Sequence, residues 1–190
     1  RQMCIRDRPY ARAAQLEAAT RPDGQLAAMD EANVDVAFLF PTYAHYLLAI
    51  DGMEPARAAA FARAYNQWLH GYCALDPARL RGVGAVARHD PAAMTDELAH
   101  VVDLGWRAVV LRPNPVAGRR LADPAHERFW AGCAAAGVAV AFHEGSHARV
   151  ATAGADRFAT RFAQHACSHP MEQMMALLDL IEGGVLERHP

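Results

Sequence analysis

The stretch GVAVAFHEGSH, Gly137 to His147, delivers a histidine and a glutamate directly after a short apolar run. The run is too short for a helix and reads as a buried strand. An imidazole held at a strand end is a ready zinc ligand. Catalytic zinc takes three protein ligands plus a water that ionises near neutral pH. His143 is therefore a candidate metal ligand, and Glu144 a candidate partner behind that ligand, acid/base or substrate contact. The plainer alternative is a loop histidine bonded to backbone beside a solvated carboxylate.

Two spacings place histidines four apart, His143 with His147 and His165 with His169. Zinc proteases use such pairs, but only on an intact helix face. Gly145 interrupts the first pair. Pro170 is expected to push His169 out of the α region, so that the second pair straddles a helix start. Neither pair is expected to work as a protease-type site, and His147 stays as a candidate substrate contact. In LRPNP, Arg112 and Asn114 suit a carboxylate or carbonyl, because a guanidinium fork matches a carboxylate. A structural ion pair is an equal reading for Arg112. Trp68 and Trp106 read as packing residues.

The elements that position these residues follow a regular order. Gln25 to Asn33 has helical apolar spacing and leads into VDVAFLF, Val34 to Phe40, a buried strand closed by Pro41. A long helix over Pro55 to Leu75 carries Phe61, Tyr65, Trp68 and Tyr72 as one stripe, expected to face a core. Gly82 to Ala87 is a second strand. Asp90 then caps a helix begun by Pro91 and ended by Gly105, before a third strand, Arg107 to Leu111. The same pattern recurs with Asp123, Pro124 and Gly137, and leads to a fourth strand, Val138 to Phe142. Ser168, Pro170 and the stripe Met174, Leu177, Leu178 and Ile181 signal a last helix, stopped by Gly183-Gly184.

Strands apolar on both faces that alternate with helices imply a parallel sheet covered by helices. The strand ends, where such folds carry function, offer Phe40-Pro41-Thr42, Arg88-His89, Arg112-Pro113-Asn114 and His143-Glu144. No GxGxxG or GxxxxGK[ST] follows a strand, which withdraws support from nucleotide-binding open sheets. A (β/α)8 barrel takes about 250 residues, so 190 residues suit part of one. The opening RQMCIRDR, residues 1–8, reads as non-native read-through, and 9–190 as one incomplete barrel domain.

A net charge of -2 without blocks of like charge gives no reason to expect nucleic acid or an acidic membrane as partner. No apolar run nears the roughly 20 residues of a membrane span, and no signal-peptide pattern is visible. The four cysteines lack CxxC spacing, which suits reduced thiols. A soluble cytoplasmic protein is the expectation.

The phrases LAAMDEANVDVAFLFPT, AYNQWLHGYCALDPARLRGVGAV, LGWRAVVLRPNP, GVAVAFHEGSH and MALLDLIEGGVLERHP resemble the amidohydrolase-related family. These metal-dependent (β/α)8 barrels include aminocarboxymuconate semialdehyde decarboxylase. The resemblance spans Gly24 to Pro190. It implies an HxH pair on the first strand, histidines on the fifth and sixth, and an aspartate on the eighth. Counting the four strands as the second to the fifth puts His143 at the fifth-strand ligand position. The chain contains no HxH. The resemblance thus implies a fragment, inactive by itself, of a metal-dependent hydrolase or decarboxylase acting on a small carboxylated or carbonyl substrate. Zinc is the expected metal, with manganese and iron open, and self-association is left open. Two other readings stand beside it: a non-catalytic barrel used as a binding module, and a metal-free carbon–carbon lyase using Arg112 and Glu144.

Overall fold

The computed structural model describes residues 17–18, 20–144 and 150–190, so that His147 and residues 1–16 lie outside the described residues. The opening RQMCIRDR lies there too.

Helix α1, Pro22–Glu31, leads to strand β1, Ala37–Leu39. A short helix α2, Tyr43–Leu48, and a long helix α3, Pro55–Cys73, follow. Glu54 caps α3, its carboxylate accepting from the amides of Ala56 and Arg57. Strands β2, Leu80–Gly82, and β3, Gly84–Ala85, come next, then α4, Pro91–Asp103, and β4, Ala108–Leu111. A 3-10 turn over Pro124–His126 runs into α5, Glu127–Ala136, before β5, Ala139–Phe142. The last helices are α6, Arg161–Glu182, and α7, Val185–Arg188.

Every strand pairing is parallel. β1 lies beside β2 with Ala37 opposite Leu80, and β3, β4 and β5 lie side by side in that order. β2 and β3 are two parts of one extended segment. Val83 between them donates its amide to the Leu39 carbonyl at 3.1 Å. The segment therefore pairs with β1 first and with β4 afterwards. Its glycines permit close approach. A Cβ at Gly82 would stand 2.2 Å from the Trp106 ring, and one at Gly84 would stand 2.5 Å from Val101.

The two capped units form as their sequence dictates. Asp90 accepts from the Ala92 amide and Asp123 from the Ala125 amide. Gly105 and Gly137 end their helices at φ of 84° and 63°, a region that favours glycine. Between α4, α5 and β4 lies the main core, built from Met94, Leu98, Val101, Val109, Leu111 and Phe129. The parallel layers and helices form part of a (β/α)8 barrel. No described helix is long and apolar enough to cross a membrane.

Three packing expectations are corrected. The aromatic stripe of α3 faces the core only in part: Tyr65 and Tyr72 pack partly buried against it, Phe61 and Trp68 are exposed, and Ala58, Ala62, Asn66, Leu69 and Cys73 form the fully buried face. Small side chains let the helix sit close to the sheet, with Ala58 and Ala62 against Ala85 and Ala87. The strand around β1 is not buried on both faces. Ala37 and Leu39 pack toward α1 and α3, whereas Val36, Phe38 and Phe40 are exposed, since β1 has one described strand neighbour. Pro170 does not delay the last helix. It lies inside α6, which starts at Arg161. The Met174, Leu177, Leu178 and Ile181 stripe points outward, and Ser168, Glu172, Ala176 and Leu180 form the buried face.

Candidate functional site

The parallel register brings the strand ends to one side of the sheet, where β5 delivers His143. Its amide continues the ladder by donating to the Leu111 carbonyl at 3.0 Å, so the residue is held as an extension of the strand. The ring nitrogen Nδ1 lies 2.7 Å from the Glu144 carbonyl. A carbonyl only accepts, so Nδ1 carries the proton and Nε2 keeps its lone pair. That is the tautomer a metal needs.

His45 on α2 approaches from the other side. Its Nε2 donates to the His143 carbonyl at 2.7 Å, and the two rings meet edge to face with centroids 4.9 Å apart. Burial, reinforced by the neighbouring His143, lowers the His45 pKa to about 4, so it stays neutral.

Glu144 turns inward, and its carboxylate is fully buried. Oε2 accepts from Ser168 Oγ at 3.1 Å and meets His169 Nδ1 at 3.0 Å; Oε1 has no partner among the described residues. His165 and His169 sit on consecutive turns of the intact α6, their ring centroids 3.9 Å apart. This corrects the expectation that the pair straddles a helix start. Proline at an interior position removes one amide donor, and the flanking packing holds the helix through it. The His169 pKa is lowered, first by burial and then by His165, with Glu144 opposing.

One turn further, Glu172 accepts from the Ala153 amide at 2.6 Å. Burial, aided by the Glu144 charge, raises its pKa. Beneath these groups lie two buried arginines. Arg88 donates Nη1 to the carbonyls of Arg112 and Asn114, at 2.9 and 2.7 Å, and Nη2 to that of Arg119 at 3.1 Å. It thereby ties down the loop that follows β4. Arg112 donates to the Ala49 and Pro115 carbonyls and pairs with Asp51 at 2.7 Å. Its two terminal nitrogens are thus engaged within the protein. Asn114 is buried in the same loop. Trp106 packs against Gly82, whereas Trp68 is exposed. His89 bonds the Ile50 carbonyl at 2.9 Å.

The structure therefore gathers His143 and Glu144 with His45, His165, His169, Ser168 and Glu172. His45 escapes sequence reasoning because it lies in a short helix without apolar periodicity. Ser168 and Glu172 carry a legible signal, since both fall four apart in line with Ala176 and Leu180 on the buried face. The donor chemistry suits a divalent metal at His143, whose Nδ1 is engaged and whose Nε2 has no hydrogen bond to the described residues. Among the described residues, no group of three or more His, Cys, Asp or Glu is arranged to hold one.

Solved structures share this fold. The chain resembles 2,6-dihydroxybenzoate decarboxylase from Rhizobium at 23% identity and a TM-score of 0.74, covering 88% of this chain and 53% of that one. A dihydroxybenzoic acid decarboxylase from Polaromonas sp. JS666, with bound manganese and the inhibitor 2-nitroresorcinol, matches at 22% and 0.73, covering 88% and 51%. An amidohydrolase from Mycobacterium avium subsp. paratuberculosis K-10 matches at 27% and 0.64, covering 90% and 46%. The chain thus spans about half the length of these solved structures. No curated protein matches it. The amidohydrolase family model matches residues 14–190, nearly all of the sequence, and with four parallel strands ending on His143 it settles one point: the chain belongs to the amidohydrolase family.

Proposed function

We propose that this chain is the strand-two-to-five portion of a divalent-metal-dependent enzyme that decarboxylates a small aromatic carboxylic acid. The observation that carries the reading is His143, a strand-end imidazole with Nδ1 engaged at 2.7 Å and Nε2 left as a donor to metal. The kinship with two decarboxylases, one holding manganese, supports the choice of reaction and of a divalent ion. Zinc and manganese both suit an imidazole ligand. When bound, the ion supplies Lewis-acid polarisation of a substrate oxygen.

The residues of this chain would act around that ion. His143 holds it, and His45 fixes the backbone of His143. Glu144, buried beside His169 and Ser168, orients the imidazoles at the site. Asn114 is the substrate contact, and His147, which lies outside the described residues, is a candidate for the same role on sequence grounds. Arg112 acts through the β4 loop, because its fork is occupied by Asp51 and two carbonyls. We place the enzyme in the cytoplasm and assign it a small-molecule partner. Hydrolysis of a carbonyl substrate is the second reading, favoured by the Mycobacterium relative.

The test is release of carbon dioxide from 2,6-dihydroxybenzoate by the full-length enzyme, metal-depleted and then resupplied with Mn2+ or Zn2+. Release should require metal and vanish in His143→Ala. Undiminished release after chelation, or in His143→Ala, would overturn the reading.

A further inference from the structure

Glu172 stands on the buried face of α6, where Ala176 and Leu180 continue the row as apolar residues. At 5% exposure its carboxylate costs stability unless the protein uses the charge. One use is direct. The carboxylate accepts the Ala153 amide at 2.6 Å and so fastens the chain that returns from β5. A second use points to the loop after β4.

Asn114 in that loop is 3% exposed, and neither its Oδ1 nor its Nδ2 has a hydrogen-bond partner among the described residues. The side chain adjoins the Glu172 carboxylate closely enough to favour the charged form of that group. A buried amide left open at both ends is costly, and packing gains nothing from it. A ligand that supplies the missing partner does. One end of an amide donates and the other only accepts. A carboxylate only accepts, so the amide nitrogen turns toward Glu172 and Oδ1 turns away. Arg112 is the cation near the pair, but Asp51 answers its charge at 2.7 Å, and the Ala49 and Pro115 carbonyls take its terminal nitrogens as well. The orientation of Asn114 is thus set by the carboxylate beside it.

We infer that Glu172 is a positioning residue for the substrate contact Asn114: its carboxylate draws the amide nitrogen toward α6 and leaves Oδ1 to accept hydrogen from the substrate. The inference rests on the decarboxylase reading above and deepens it, since it asks of the substrate an O–H or N–H donor at the Asn114 end. Glu172 then acts on substrate affinity through Asn114, and its hold on Ala153 is a separate, structural duty.

The experiment is steady-state decarboxylation of 2,6-dihydroxybenzoate by the full-length, Mn2+-loaded enzyme, with kcat and KM resolved. Glu172→Gln still offers an oxygen to the Ala153 amide but loses the charge. Its KM should rise roughly 2–10-fold, the worth of one ordinary hydrogen bond, with kcat within about twofold. Glu172→Asp keeps the charge and reaches Ala153 less well, so its KM should lie nearer wild type than that of Glu172→Gln. A role confined to the loop would rank the two the other way. Asn114→Ala removes no side-chain hydrogen bond among the described residues and should raise KM over the same range. Adding Glu172→Gln to it should raise KM no further. Should Glu172→Gln melt early, Glu172→Met takes its place in that cycle. Additive KM losses, a wild-type KM in Glu172→Gln or in Asn114→Ala, or a Glu172→Asp enzyme poorer than Glu172→Gln would overturn the inference and leave the decarboxylase reading standing. No turnover by the wild-type enzyme would sink that reading, and the inference with it.

Discussion

Asn66 of α3 pairs with both backbone groups of Ala85 in β3, donating from Nδ2 to its carbonyl at 2.9 Å and accepting its amide on Oδ1 at 2.8 Å. The same amide nitrogen reaches Glu97 of α4 at 2.8 Å, and Glu97 in turn pairs with Arg63 at 2.7 Å. One buried side chain thus supplies the ladder partner that β3 lacks, and fastens two helices to the strand. Such networks are favourable when every member is satisfied and harmful when one is removed.

Replacing Asn66 with alanine leaves the Ala85 amide and carbonyl and one Glu97 oxygen without partners. The expected loss is about 2–4 kcal/mol, given roughly 1–3 kcal/mol for each stranded buried group and partial relaxation. Urea denaturation would read it as a lower midpoint at constant slope. A midpoint equal to wild type would mean that the network carries no net stability.

Gly82 and Trp106 form a steric pair. A methyl group at position 82 meets the indole at 2.2 Å, and overpacking of this kind costs about 1–3 kcal/mol. The double variant Gly82→Ala with Trp106→Leu should recover part of that loss, giving a coupling above about 0.5 kcal/mol in a double-mutant cycle. Additive losses would show that the strand shifts away from the ring rather than strains against it.

Arg88 holds three carbonyls of the β4 loop from a buried position. Burial, reinforced by the charge of Arg112, lowers its pKa to about 10, which keeps it cationic at neutral pH. Arg88→Met should free the loop, and limited proteolysis should cut between Arg112 and Arg120 at a rate well above wild type. Arg88→Lys should protect only in part, because an ammonium lacks the planar fork that spans separate carbonyls. Wild-type cutting rates in Arg88→Met would assign the loop's order to other contacts.

His126 predicts a pH dependence. Burial, then the Arg88 charge, holds its pKa below the ordinary 6.5 or so. As pH falls below about 6.5 the unfolded chain takes up a proton that the folded protein refuses, so folding stability falls with pH in that range. Above it, both states are neutral and this group has no effect. In His126→Gln, the slope of melting temperature against pH between about 6.5 and 5 should flatten; an unchanged slope would assign the dependence to other groups.

Much of the fold was legible because its punctuation is local. Asp90-Pro91 and Asp123-Pro124 with Gly105 and Gly137 specify helix ends through bonds to residues only two or three away, and the structure follows them. What sequence periodicity misjudged depended on distance. Which face of α3 is buried is decided across the sheet, where Ala58 and Ala62 pack with Ala85 and Ala87 while Phe61 and Trp68 stay exposed. At the site, His143 was legible from the strand it ends. His169 was not, because the usual rule about the residue before proline is overridden by packing of α6 through Ser168 and Glu172. His45 reaches the site through long-range ties, β1 to β2 and Arg112 to Ala49 and Asp51, that no short window holds.

The exchange of partners at Val83 has a dynamic consequence. A single extended segment serves β1 on one side and β4 on the other, with the Val83 amide at the crossing. Neither ladder can fray from that point without loosening the other, which makes the four strands one cooperative unit rather than a pair joined to a triplet. In amide hydrogen exchange, Val83 should therefore share its protection with Ala85 and Leu111 and open only when the whole sheet does.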